Sequence, residues 1–293
     1  MELTASAVRD WIVNISTGEF HYKQILGGSI SPKLYIRLRG ILRDLCNAKD
    51  PVVESVGKKD GVYRPIQEMV KPLTFDDITD NRCPITLPFD LTKYARIDYD
   101  TTIVVAGSKS GGKTGFCYRT AHLNIGVMPI VILSNMEGGK DRMKRRFMAM
   151  GVDLVREDWI TIYPVYDNYH DYIKEKNTLY IIDYIDVPDG ESFWMIANEI
   201  KKVDQKLQGK NSVALIGLQK PYNRDIAIGG EGTLKVASLY LAMDNSKLKI
   251  IDAKEPSDAM KAKNDNPRGM QWTFQYSEEG TNFLNIMADY GGM

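Results

Sequence analysis

Cysteine is scarce in this chain. Cys46, Cys83 and Cys117 are its three cysteines, and no two of them share a metal-site or disulfide-framework spacing. That argues against a disulfide scaffold or a zinc module and predicts reduced thiols in an intracellular, cytoplasmic setting. Long hydrophobic runs are missing as well: no apolar stretch approaches the roughly 20 residues that cross a bilayer, so no membrane partner is expected. The opening "MELTASAVRDW" lacks the basic flank and apolar core of a secretory signal. Excess charge of either sign is absent, because 38 Lys and Arg balance 38 Asp and Glu. Any nucleic-acid binding must therefore come from local patches. Internal repeats and low-complexity tracts are lacking too. What remains is a composition of 43% hydrophobic and 26% charged residues over 293 positions, which fits a globular chain of one large domain, or of one large and one small.

Residues 1–70 read as the small unit. "SAVRDWIVNIS" offers Ser6 as a helix cap, followed by Val8, Trp11, Ile12 and Ile15 at helical spacing. A short second helical stretch, "GEFHYKQIL", ends at Gly27-Gly28. A third helix starts with Ser31 as cap and Pro32 at its first position. Leu34, Leu38, Ile41, Leu42 and Leu45 form its apolar stripe, with Lys33, Arg37, Arg39 and Arg43 off the stripe. Then "PVVESVGKKDGVYRPI" reads as two strands around a Gly-Lys-Lys-Asp-Gly turn. Three helices and a hairpin resemble a winged helix. That resemblance implies a third helix in the DNA major groove and a wing, tipped by Lys58 and Lys59, on backbone phosphates. The alternatives are a helical cap whose basic residues form a solvated face, or a winged unit that binds protein. Residues 71–98, with three prolines and little periodicity, read as a linker that ends by packing on the next domain.

The most specific signal is "TTIVVAGSKSGGKTGFCYRT" at 101–120. Gly107, Gly112, Lys113 and Thr114 complete the pattern G-x-x-x-x-G-K-[ST]. A β-branched run precedes it and a helical stretch (114–124) follows, which is the context the motif requires. Glycines let backbone N–H groups curl around phosphate oxygens, and the helix N-terminus adds positive potential. Gly107, Ser108, Lys109, Ser110, Gly111, Gly112, Lys113, Thr114 and Gly115 are thus the expected ATP cradle. Lys113 would reach the β- and γ-phosphates, and the Thr114 hydroxyl would hold Mg²⁺. "NTLYIIDYIDVP" supplies a buried strand ending in Asp183, the expected second magnesium residue. Asp186 lies nearer the loop and reads as solvated or structural.

The segment between these two motifs, "MPIVILSNMEGGKDRMKRRFMAMGVD", places Glu137 at the end of a strand and before a helix. This arrangement resembles the family of RecA and the DnaB-type hexameric helicases, which carry their catalytic glutamate there. The resemblance implies that Glu137 is the general base for the attacking water; the alternative is a carboxylate paired to a helix dipole. Downstream, an amphipathic helix (Phe193, Ile196, Ala197, Ile200, Val203, Leu207 inward) leads to a buried strand ending in Gln219. In this family the residue at that place senses the γ-phosphate, although Gln219 also reads as a hydrogen-bonded strand end. "KPYNRDIAIGGEGT", with Lys220 and Arg224, resembles a DNA-binding loop. The family's basic finger, which reaches a neighbouring subunit's γ-phosphate, has two competing matches: Lys254 in "DAKEPSD", or Lys263 and Arg268 in "AKNDNPRGM". Neither keeps the family's Lys-x-Arg pair, and both also read as surface loops.

The expected fold is α/β: a RecA-like domain over 99–293 with a mainly parallel sheet and an antiparallel C-terminal extension, preceded by the winged-helix-like unit. The expected function is ATP hydrolysis coupled to DNA binding, duplex favoured, by a homo-oligomeric ring or filament with nucleotide at its interfaces. Combined winged-helix and RecA-like chains resemble proteins of phages and mobile elements. The rival reading is a nucleotide-switched scaffold whose winged unit binds protein. A nucleotide kinase is disfavoured because no arginine-rich lid is evident.

Overall fold

The computed structural model describes residues 3–16, 18–27, 31–57, 60–66, 80–186, 194–277 and 279–289. The chain divides into two compact units, Met1–Asp77 and Ile78–Met293.

In the first unit, helix α1 (Ala5–Asn14) is capped by Thr4, whose hydroxyl accepts from the Ala7 N–H, and not by Ser6. Strand β1 (Phe20–His21) and a single 3₁₀ turn (Tyr22–Leu26) occupy the stretch expected to be a second helix. The reason is local. Phe20 pairs across the sheet with Tyr63, His21 caps the turn, and Gly27 at φ 57° ends it. Helix α2 (Pro32–Cys46) follows, then β2 (Val53–Ser55) and β3 (Val62–Pro65), giving an antiparallel sheet of order β1-β3-β2. Val8, Ile12, Phe20, Leu38, Leu42 and Val53 fill its core. Leu34 and Ile15 are exposed instead of lying on the expected stripes, because each sits at a helix end that the small core does not cover.

The second unit is built on a nine-stranded sheet. Its strands are β4 (Thr101–Gly107), β5 (Ile130–Ser134), β6 (Ile160–Pro164), β7 (Leu179–Ile185), β8 (Val213–Gln219), β9 (Ala237–Asp244), β10 (Lys247–Ala253), β11 (Gln271–Tyr276) and β12 (Phe283–Asp289). The order is β12-β11-β10-β9-β4-β8-β7-β5-β6, parallel from β9 to β6 and antiparallel from β9 to β12. The helices are α3 (Lys113–Leu123), α4 (Gly139–Ala149), α5 (Trp194–Leu207) and the short α6 (Asp258–Ala262). Side chains alternate along the central strands. Ile103, Val105, Ile132 and Ile181 face the core under α3 and α4, while Val104, Leu133, Ile182 and Ile216 face the core under α5. Both faces are covered, so these strands read as continuous apolar runs rather than alternating ones. Right-handed crossovers explain the layering: β4 leads to β5 in one direction across the sheet and β7 to β8 in the other, which puts their helices on opposite faces. Among the described residues, no helix is long and apolar enough to cross a membrane.

The segment read as a linker to residue 98 belongs in part to this core. Cys83, Ile85, Leu87, Phe89, Leu91, Ala95 and Ile97 are all buried in it. Phe89, at φ 62°, packs against Phe116, Phe274 and Phe283, with ring centroids at 6.5, 5.1 and 4.8 Å. Prolines and irregular spacing conceal such a segment, because it packs as an extended strap without a helix or strand period. Phe89→Ala should therefore destabilise the second unit by about 3–5 kcal/mol in urea unfolding, the range for deleting a buried ring. A loss within about 0.5 kcal/mol, as at exposed positions, would mean that the strap contributes no core.

Candidate functional site

Strand register decides what meets what. Gly107, the last residue of β4, is level with Gln219 at the end of β8, and Ser134 at the end of β5 is level with Asp183 on β7. All four stand at the C-terminal edge of the parallel strands, where ligands of open α/β sheets bind. Because β8 lies between β4 and β7, Gln219 projects between the loop after β4 and the carboxylate on β7.

The loop 107–112 is folded tightly against the sheet. Ser108 N–H donates to the Met243 carbonyl, and Gly111 N–H donates to the Ser108 carbonyl. Gly112 adopts φ 99°, and a Cβ there would collide with the Tyr276 hydroxyl, so glycine is demanded twice over. Lys113 opens α3 but folds back under the loop, and it is only 7% exposed. Its ammonium donates to the Gly107 carbonyl (2.9 Å), the Ser108 carbonyl (3.1 Å) and Gln219 Oε1 (3.0 Å). Burial lowers its pKa, and the nearby Asp183 opposes that shift. One residue on, the Thr114 hydroxyl donates to Asp183 Oδ1 at 3.1 Å. Burial pushes the Asp183 carboxyl up to about 6, against the hydrogen bond from Thr114 and the charges of Arg146 and Lys113.

Glu137 lies in the turn between β5 and α4, with its N–H donating to Asn135 Oδ1. Its side chain is exposed and lines the same cleft. The cleft has a volume of about 540 Å³ and is lined by residues 109–115, Glu137, Arg142, Arg146, Tyr184, Gln219, Tyr276, Ser277, Glu279 and Gly280. Expected residues Lys109, Ser110, Gly111, Gly112, Lys113, Thr114, Gly115, Glu137 and Gln219 are thus gathered in one place. Several lining residues were missed. Tyr276 donates its hydroxyl to the Gly111 carbonyl at 2.6 Å, and Gly280 presses its carbonyl on Gly115, so the β11–β12 turn covers the loop. Only the tertiary fold brings that turn here. Arg142 and Arg146 did carry a signal, since a spacing of four puts them on one helix face.

Chemically, the arrangement can hold an anion of polyphosphate kind, with N–H groups at a helix N-terminus and a lysine able to leave its carbonyl acceptors. Among the described residues, no cluster of three or more His, Cys, Asp or Glu side chains stands ready for a metal. The Thr114–Asp183 pair fits magnesium, which takes one or two protein oxygens and completes its shell with phosphate and water.

Other expected residues lie elsewhere. Lys220, expected in a DNA-binding loop, is 1% exposed and so not presented at the surface, and its ammonium is held by Asp244 Oδ2 (2.7 Å) and the Arg224 carbonyl (2.6 Å). A lysine at the end of a buried strand needs such acceptors, and it gets them by clamping the following loop. Arg224 itself is exposed. The finger candidates Lys254, Lys263 and Arg268 follow β10, which runs antiparallel, and so stand at the opposite edge of the sheet. There Lys254 donates to the Val236 carbonyl and Arg268 pairs with Asp252. None of the three reaches this chain's cleft.

In the first unit, Lys33, Arg37, Arg39 and Arg43 are exposed on α2. Arg39 is tethered to Asp60 at 3.2 Å and covers the Tyr22 ring, and Arg43 lies 3.8 Å from Asp44. Lys58 and Lys59 lie outside the described residues. No protein-family model matches the chain, and no curated protein matches it either.

The raised Asp183 pKa yields a prediction with a definite sign. The folded chain holds this proton more tightly than a solvated carboxyl at 3.8 does. Its contribution to stability is therefore fully present below pH 3.8 and lost as pH rises through about 6. Asp183→Asn should raise the ligand-free melting temperature at pH 7.5, by an amount equivalent to about 1–3 kcal/mol, and leave it unchanged near pH 3.5. A variant less stable than the parent at pH 7.5 would contradict the buried-carboxylate account.

Proposed function

We propose that the cleft binds ATP with magnesium and hydrolyses it, and that the chain is a RecA/DnaB-like ATPase that assembles on DNA. One observation carries this reading: Lys113, Thr114, Asp183, Gln219 and Glu137 converge at one edge of the sheet around the glycine loop. Phosphate oxygens would replace the carbonyls of Gly107 and Ser108 as acceptors for Lys113, and the N–H groups of residues 108–115 would turn toward the phosphates. Magnesium, when bound, would supply positive charge shared between phosphate oxygens, with Thr114 and Asp183 as its protein-side ligands. Glu137, exposed to the cleft, orients a water. The water oxygen bonds to the terminal phosphorus, the bond to the diphosphate oxygen breaks with its electron pair leaving on ADP, and the water proton passes to Glu137. Gln219 touches the lysine that follows the terminal phosphate and so registers its presence.

The DNA part of the reading rests on the first unit. Its order α1, β1, 3₁₀ turn, α2, β2, β3 is winged-helix-like, and α2 exposes Lys33, Arg37 and Arg43. Duplex DNA suits an exposed basic helix preceding a hairpin. Homo-oligomers with nucleotide at the interfaces belong to the same reading, and Lys254, Lys263 and Arg268 could serve the site only across such an interface. One observation favours the rival reading of a nucleotide-switched scaffold that binds protein: Ile36 on α2 is 73% exposed beside Arg37, as an apolar anchor for a protein partner would be.

Lys113→Ala should abolish hydrolysis without unfolding the chain. Glu137→Gln should keep ATP binding and slow turnover by at least about 10²-fold. Duplex DNA should stimulate the parent's turnover, with affinity falling steeply with salt. Deleting residues 1–77 should weaken DNA binding more than basal hydrolysis. Turnover indifferent to DNA, together with a chain that stays monomeric with ATP and DNA by light scattering, would favour the scaffold.

A further inference from the structure

Arg146 is the exception among the sheltered cations of the described residues. Every other lysine or arginine that is buried or half-buried, among the described residues, has an acceptor. Lys113 and Lys220 have theirs as described above. Arg96 holds Asp80 and Asp98, Arg119 meets His122, Lys202 lies near Glu199, Lys210 reaches the Lys174 carbonyl, and Lys249 pairs with Asp225. Arg146 is half-buried and makes no hydrogen bond or ion pair with any described residue. The charged and ionisable groups that act on it are Arg142, Tyr118, Asp183 and Glu279, and neither carboxylate comes within ion-pair distance. Burial and the like charge of Arg142 lower its pKa. A half-buried guanidinium that lines a cleft and has no protein acceptor keeps its donors free for water or for an anionic ligand.

Position narrows the ligand. Met143 and Phe147 anchor α4 in the core, and Phe147 stacks on Tyr118 of α3 at 4.9 Å, which fixes the face that carries Arg142 and Arg146. Both arginines line the cleft, on the side of Glu137 and Asp183. The cleft wall carries Lys109, Lys113, Arg142 and Arg146 against the carboxylates of Glu137 and Glu279. That surplus of positive charge suits a ligand with several negative charges.

We infer that Arg146, with Arg142 one helical turn before it, contacts the terminal phosphoryl group of a nucleoside triphosphate bound in this cleft. It is supplied by the same chain that supplies Lys113. This inference rests on the ATPase reading and deepens it. As the bond to ADP breaks, charge accumulates on the phosphoryl and leaving oxygens, and a preorganised guanidinium neutralises it without reorganising water. Planar, forked donors suit phosphate oxygens better than an ammonium does. The carried-over finger residues stand at the other edge of the sheet, so an arginine from the chain itself lets basal hydrolysis proceed without a neighbour.

The test uses the full chain and four proteins: parent, Arg146→Ala, Arg146→Lys and Lys113→Ala. Binding of ADP and of a non-hydrolysable ATP analogue, each with Mg²⁺, is measured by calorimetry, alongside steady-state hydrolysis and ligand-free melting. Arg146→Ala should lower kcat by roughly 10²–10³-fold. It should bind ADP within a few-fold of the parent, lose the preference for triphosphate over diphosphate, and melt at or above the parent's temperature. Arg146→Lys should recover part of kcat. Mixing Arg146→Ala with Lys113→Ala should restore nothing, because no chain then carries both groups. Parental kcat in Arg146→Ala overturns the inference alone. So does a lowered ligand-free melting temperature with unchanged nucleotide preference, which would make Arg146 a structural residue. Restored activity in the mixture overturns the same-chain assignment. A parent that binds neither nucleotide overturns the inference and the ATPase reading together.

Discussion

Lys113 carries a positive charge into a place nearly shielded from water, and a charge so placed must find either protein acceptors or an anionic ligand. The two carbonyls beneath the glycine loop and the amide of Gln219 provide the first solution, and each is located by the ends of β4 and β8. The arrangement around it follows. Asp183 stands close enough to feel that charge yet is tied to Thr114, and the loop must hug the sheet for its carbonyls to reach the ammonium. A loop held by bonds that phosphate oxygens can replace is poised for exchange, because the protein acceptors and the ligand compete for the same donor.

The two edges of the large sheet are used differently. At the C-terminal edge of the parallel strands, polar side chains border a cleft, and the bonds of Lys113 to loop carbonyls are ones that a ligand's oxygens can replace. At the opposite edge, charges are consumed by the fold: Arg82 pairs with Asp258, Arg268 with Asp252, and Lys261 with Glu255. Lys220 follows the second pattern although it sits at the first edge, for Asp244 and the Arg224 carbonyl take two of its three donors and burial closes off the third. Exposure to a ligand is therefore a matter of spare hydrogen-bonding capacity as well as position.

Much of the cleft was legible in the sequence because its residues sit at strand ends with a fixed relation to apolar runs. The runs before Gly107, Asp183 and Gln219 are buried on both faces, so each reads as an unbroken hydrophobic stretch, and the chemistry begins where it stops. The burial of Lys220 was not legible, since a lysine beside a glycine-rich segment looks solvated until the strand that brings Asp244 to it is known. The strap at 83–97 escaped for lack of a period. Tyr276 escaped because only the antiparallel extension carries it to the loop. In the small unit, β1 was hidden by its length: two residues give no alternation to detect.

Tyr276 and Gly111 are joined across a sequence separation of 165 residues. Closing so long a stretch of chain is entropically expensive, and contacts of that kind slow folding. During synthesis the glycine loop and its helix emerge long before the strand that covers them. The loop must remain without its cover until β9, β10 and β11 have been added to the sheet in turn. A chain interrupted before residue 276 would carry the whole motif, with its bonds to Met243 and Lys113, in a loop that lacks its cover.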